Sequence, residues 1–176
     1  MKHVTIEIVN DEYPSNPRNE FDNISTFYGP RNSRYVVGGK YDREVYDLEE
    51  MIKEFRKEKA VIVEFESNAG TCYAVVERDQ LQDEYINYGQ TMRQALYHAR
   101  QCAKGEVEQW LAYCNGEVYG YKITNSETGE ELDSCYGFYG RKDAEDVAEE
   151  QAKFFDAEIE KEHATLERRM EDAVTL

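Results

Sequence analysis

The sequence predicts an α+β fold: a mostly antiparallel sheet built from hairpins and packed against helices. Three observations carry this reading. Short β-branched or aromatic runs come in pairs, 60–65 with 71–76 and 117–124 with 131–138, each pair joined by turn chemistry. Two long stretches, 91–114 and 142–173, place apolar residues at helical spacing. Adjacent strands are linked by tight turns rather than by crossover helices, which favours antiparallel pairing over a parallel sheet.

Val4-Thr5-Ile6-Glu7-Ile8-Val9 alternates and reads as the first strand. Residues 10–44 hold all three prolines (Pro14, Pro17 and Pro30) and the Gly38-Gly39 pair, and read as a long irregular loop. A short hairpin is expected around Arg34-Tyr35-Val36-Val37, and Phe21, Ile24, Phe27 and Tyr28 are expected to pack the loop onto the domain. Asp47 with Glu50 forms a weak capping box ahead of Leu48, Met51, Ile52 and Phe55. Ser67-Asn68-Ala69-Gly70 supplies the turn of the first hairpin, and 78–85 reads as a short helix. Thr91 caps a helix running to about Cys114, with Gly105 a point where it could break or kink. Asn115-Gly116 stops it, Thr128-Gly129 turns the second hairpin, and 142–173 is one helix without Gly or Pro. No repeat and no clear linker divides the chain, so residues 1–176 read as a single domain.

With 21 Lys+Arg against 37 Asp+Glu in 176 residues, the net charge is −16. A direct nucleic-acid binder needs the opposite balance to neutralise phosphates. The plausible partners are therefore basic surfaces, including those built to hold nucleic acid. At 40% hydrophobic and with 14 Tyr, the chain is too apolar for a disordered acidic tail. No apolar run approaches the roughly 18 residues of a membrane span. The start reads straight into a strand without a signal-peptide layout, so a cytoplasmic location is expected. The four cysteines, Cys72, Cys102, Cys114 and Cys135, lack metal-ligand spacing and read as free thiols, mostly buried.

Two stretches carry a resemblance. One is Pro17-Arg18-Asn19-Glu20-Phe21-Asp22-Asn23-Ile24. The other is Gly116-Glu117-Val118-Tyr119-Gly120-Tyr121 followed by Asp133-Ser134-Cys135-Tyr136-Gly137-Phe138-Tyr139-Gly140. Together they resemble a family of uncharacterised bacteriophage- and plasmid-borne accessory proteins. Phe21 and Tyr136 stand where that family usually has Trp, Asn19 is an extra residue, and a basic segment after the first motif is reduced to Arg31 and Arg34. The resemblance brings no catalytic residues. It implies a mobile-element gene expressed in a bacterial host, a setting in which many genes act against host defence.

On the last helix, Glu145, Glu149, Asp156, Glu160, Glu167 and Glu171 fall within an arc of roughly 80° beside the apolar seam of Ala148, Ala152, Phe155, Ile159, Leu166, Met170 and Ala173. This carboxylate line is about 39 Å long at 1.5 Å rise per residue. It is a candidate phosphate mimic, and it competes with the plain reading of a solvated face. Tyr113, Tyr119, Tyr121, Tyr136 and Tyr139 gather around the second hairpin. They read either as core or as an exposed aromatic anchor, with Tyr136 and Phe138 the residues to test. His3, His98 and His163 stand in no catalytic spacing, Cys135 is the one thiol set in a motif, and no phosphate-cradling loop is present.

The expected function is inhibition of a host nucleic-acid-handling complex, such as a CRISPR effector or restriction nuclease, by filling its cationic groove with acidic surface. The expected partner is a host protein, with no direct nucleic acid, membrane, metal or cofactor involved. Two other readings stay open. One is a non-mimic binding module using the aromatic surface and the two motifs; the other is a small enzyme using Cys135 or a carboxylate pair. A seam on the last helix allows a second copy to pair, although Glu162 and Arg169 interrupt it.

Overall fold

A computed structural model describes residues 2–31 and 37–174, apart from the side chains of 171, 173 and 174. The α+β class holds. Where the sequence reads as one domain, the chain folds as two compact units. A terminal unit joins Met1–Pro14 to Gly116–Leu176, and a central unit spans Ser15–Asn115. The division escapes a linear reading because the terminal unit is assembled from both ends of the chain and no linker composition marks its borders.

The terminal unit has β1 (Val4–Asn10), β6 (Val118–Asn125), β7 (Glu131–Tyr139) and the helix α5 (Arg141–Val174). The strand order is β1-β6-β7, antiparallel throughout. Val4, Ile6 and Ile8 lie on one face with Tyr121 and Ile123, as strand alternation demands. Helix α5 closes that face through Ala148 and Ala152, both fully buried, with Phe155 and Ile159 flanking. Alanines at a four-residue spacing let the helix backbone approach the sheet closely.

The central unit holds α1 (Pro17–Glu20), β2 (Thr26–Pro30), β3 (Arg43–Val45), α2 (Leu48–Lys57), β4 (Val61–Ser67), β5 (Gly70–Val76), α3 (Arg78–Glu84), a 3-10 turn (Ile86–Tyr88) and α4 (Met92–Cys114). Its strand order is β3-β2-β5-β4, and only the β2–β3 pair is parallel. Phe27, Phe65, Cys72, Ala74 and Val76 face α4, packing on Ala99, Ala103, Val107 and Trp110. Tyr28 and Val75, one residue out of phase, pack with Ile52 and Phe55 of α2. The sheet is thus sandwiched between two helices. Thr91 caps α4, as expected, and Gln94 completes a capping box with it. Gly105 does not break it: the helix is continuous, because its buried alanine stripe on the sheet outweighs a propensity cost of about 1 kcal/mol. Asp47 precedes α2 without a side-chain capping bond.

Residues 10–44 depart furthest from expectation. The segment includes α1 and β2, and β2 is an inner strand of the four-stranded sheet. Residues 34–36 of the expected hairpin lie outside the described residues. Arg18 explains how so polar a segment is held. Its guanidinium donates to Asp42 at 2.8 and 3.0 Å, to Glu106 of α4 at 2.8 Å, to Asn23 Oδ1 at 2.8 Å and to the Ser25 carbonyl at 2.6 Å. It also lies 3.7 Å from the Phe27 ring centroid. The carboxylates in turn accept backbone N–H groups. Asp42 takes those of Phe27 at 2.8 Å and Gly39 at 2.6 Å, and Glu106 takes that of Ile24 at 2.7 Å. Residues 17–24 therefore supply the buried cation, Arg18, and one of its acceptors, Asn23, while Asp42 and Glu106 close the clamp from outside the motif.

Candidate functional site

Charge is divided unevenly between the units. The terminal unit carries 20 Asp+Glu against 8 Lys+Arg, a net of −12, whereas the central unit carries 17 against 13, a net of −4. The acidity that looks dispersed along the sequence is concentrated on one compact body, because both chain ends contribute to it.

The six carboxylates of the expected line are not equivalent. Glu145 pairs with Arg141 at 2.7 Å, and Glu149 lies 4.0 Å from Lys153. Asp156 accepts the backbone N–H groups of Lys2 and His3, each at 2.8 Å. These bonds, with the positive charge nearby, hold its carboxyl below the usual range. Glu160 meets His3 Nε2 at 2.7 Å; the contact lowers the Glu160 pKa and raises that of His3. Glu167 is exposed, with no ion pair among the described residues, and the side chain of Glu171 lies outside them. Two members of the line thus fasten the chain start to α5. Wheel geometry cannot reveal this, because the fastened partner is more than 150 residues away. The remaining acidic surface is broader than a line, since Asp146, Glu150, Glu158 and Glu162 are exposed on other faces of the helix. Beyond Ile159 the seam no longer packs: residues 164–170 are all exposed, Leu166 and Met170 included.

Tyr136 and Phe138 do not form one surface. Phe138 packs into the core under α5, with its ring centroid 5.9 Å from that of Tyr121. The Tyr136 ring lies against Gly120 and is 46% exposed. A register shift between Tyr119 and Tyr121, with Gly137 at φ +87°, turns the edge strand between the two aromatics. A Cβ at Gly120 would sit 2.7 Å from the Cys135 carbonyl oxygen and overlap the Tyr136 ring. This contact accounts for the glycine and the aromatic of the second motif as a pair. Gly120→Val is expected to cost about 1–3 kcal/mol by overpacking. The loss should appear as a lower midpoint of urea unfolding followed by far-UV circular dichroism. A cleft of about 520 Å³ beside Tyr136 is lined by Val9, Asn10, Asp11, Glu12, Tyr13 and Lys122. Tyr113, grouped with this hairpin by sequence, instead stacks on Trp110 in the central unit.

The thiols also differ from expectation. Only Cys72 is buried; Cys102, Cys114 and Cys135 are exposed. Cys135 Sγ donates to the Tyr136 carbonyl at 3.8 Å, while His3 and His163 engage each other and Glu127. Desolvation pushes the Cys114 thiol up to about 11. At pH 8 only about one Cys114 in a thousand is then thiolate, the reactive form. Ellman's reagent is therefore expected to modify Cys102 and Cys135 first and Cys114 slowly, with Cys72 reacting only on unfolding.

The Asp22-Asn23 and Asp133-Ser134-Cys135 motifs belong to different units. Asn23 serves the Arg18 clamp, and Asp133 accepts the Tyr121 hydroxyl at 2.8 Å. No helix of the described residues is long and apolar enough to cross a membrane. Comparison with family models, with curated proteins and with solved structures gave no match to this chain.

Proposed function

We propose that this chain inhibits a host nucleic-acid-handling complex by lodging its acidic terminal unit in a cationic groove, as an accessory protein of a phage or plasmid in the bacterial cytoplasm. The observation that carries the reading is the net charge of −12 on one compact body. A field of that size steers a basic partner into encounter and repels nucleic acid from the same surface. The contact residues are exposed carboxylates, Asp146, Glu149, Glu150 and Glu167 foremost, rather than the whole sequence-derived line, because Asp156 and Glu160 are committed to the chain start. No proton transfer or nucleophile is needed, so the role is occlusion and not catalysis.

The aromatic cleft beside Tyr136 favours a second reading, a salt-insensitive contact with one host protein. To separate the two, the full chain is used to capture its partner from host lysate. Duplex DNA is then titrated against the purified complex. Mutual displacement by DNA, with loss of binding when the four carboxylates become Asn or Gln, is the expected result. Binding that ignores both but fails in Tyr136→Ala would replace occlusion with the aromatic reading.

A further inference from the structure

The fold brings together two of the chain's three histidines from opposite ends of the sequence. His3 immediately precedes β1, His163 lies on α5, and Glu127 sits in the turn between β6 and β7. Their ligand atoms lie within 4.8 Å of one another. Glu127 spans the pair, with Oε1 3.4 Å from His3 Nδ1 and Oε2 3.9 Å from His163 Nε2. The imidazole planes are nearly perpendicular, at 82°.

Each element is held in place independently. Asp156 accepts the His3 backbone N–H at 2.8 Å, and the His3 carbonyl accepts the Ser126 N–H at 2.8 Å. The Asn125 side chain accepts the Glu127 N–H at 2.8 Å and shapes the turn. The His3 ring is 14% exposed, and its Nε2 meets Glu160 Oε2 at 2.7 Å. With the proton on Nε2 donated to Glu160, the Nδ1 lone pair faces Glu127 and His163. This is the outer-shell arrangement that zinc-bound histidines use, in which a carboxylate fixes the tautomer and orients the ring.

We propose that His3, Glu127 and His163 bind a zinc-class divalent ion, with Glu160 as the outer-shell partner of His3 and water completing the coordination. Two imidazoles and one carboxylate suit zinc better than calcium or magnesium, which prefer all-oxygen sites. Tetrahedral bonds of about 2.0–2.1 Å place ligand atoms about 3.3 Å apart. The required closure, up to about 1.5 Å from separations within 4.8 Å, falls on the Glu127 and His163 side chains, which are 59% and 41% exposed and so free to adjust. Bound metal would tie the chain start, the hairpin turn and α5 into one unit. Metal binding at this cluster is independent of whether the acidic surface meets a groove.

The test uses the full chain without an affinity tag, stripped of metal and with its thiols alkylated. It is titrated with Co²⁺ as a spectroscopic probe and with Zn²⁺ by calorimetry. Expected are one saturable site at micromolar Zn²⁺, tetrahedral visible bands with Co²⁺ and a raised melting temperature. Glu160→Gln should weaken binding by about 10–100-fold. Glu127→Gln and His163→Ala should each abolish it with helix content intact, whereas His98→Ala should bind normally. Absence of saturable binding below millimolar, or equal binding in Glu127→Gln and His163→Ala, would overturn the assignment.

Discussion

Arg18→Ala is expected to destabilise the central unit by about 3–5 kcal/mol, the usual result of removing one partner from a buried ion pair. Two carboxylates would lose their cation in a site where the Arg18 and Asp42 side chains are 3% and 1% exposed. The single tryptophan, Trp110, lies in this unit, so its fluorescence reports the loss directly. At a slope of about 2 kcal/mol per molar urea, the midpoint should fall by about 2 M. Arg18→Lys should rescue little. One ammonium cannot reproduce the planar fork that reaches Asp42, Glu106, Asn23 and the Ser25 carbonyl together. Replacing the whole triad with apolar residues should also fail, unlike buried triads whose members satisfy only one another. Here Asp42 and Glu106 also accept the N–H groups of Phe27, Gly39 and Ile24, which would be left orphaned.

Neutralising Asp146, Glu149, Glu150 and Glu167 is expected to have the largest effect on function. At about 1 kcal/mol for each engaged carboxylate, the combined cost is about 4 kcal/mol, roughly a thousandfold in Kd. Folding should be preserved. All four are exposed, and the one ion pair they make among the described residues, Glu149 with Lys153 at 4.0 Å, is of the surface kind that contributes little. Asp156 and Glu160 belong in a separate variant. Their loss releases the chain start from α5, so weakened binding there would mix charge with structure.

The parts of the fold legible in the sequence are those with strong local signals. The two hairpins, the Thr91 cap and the long helix α5 all follow from turn residues and periodicity. Strand β2 was not legible, because Thr-Phe-Tyr-Gly-Pro is short and ends in two residues that argue against a strand. It is held by β5 and by the backbone bond to Asp42, partners that no local pattern shows. The acidic arc of α5 was legible as geometry, but the use made of its members was not. Asp156, Glu160 and His163 gain their roles from His3, at the far end of the chain. The split of Tyr136 from Phe138 hides for a related reason: strict alternation puts them on one face, and the bulge at Gly137 separates them.

The claim that electrostatic occlusion drives binding is tested most directly by the salt dependence of Kd for the purified complex, measured for the wild-type chain and the four-carboxylate variant. Screening lengths shrink from about 10 Å at 0.1 M salt to about 3 Å at 1 M. Occlusion predicts a steep rise of log Kd with log salt for the wild-type chain and a much shallower one for the variant. A flat response shared by both proteins would contradict it.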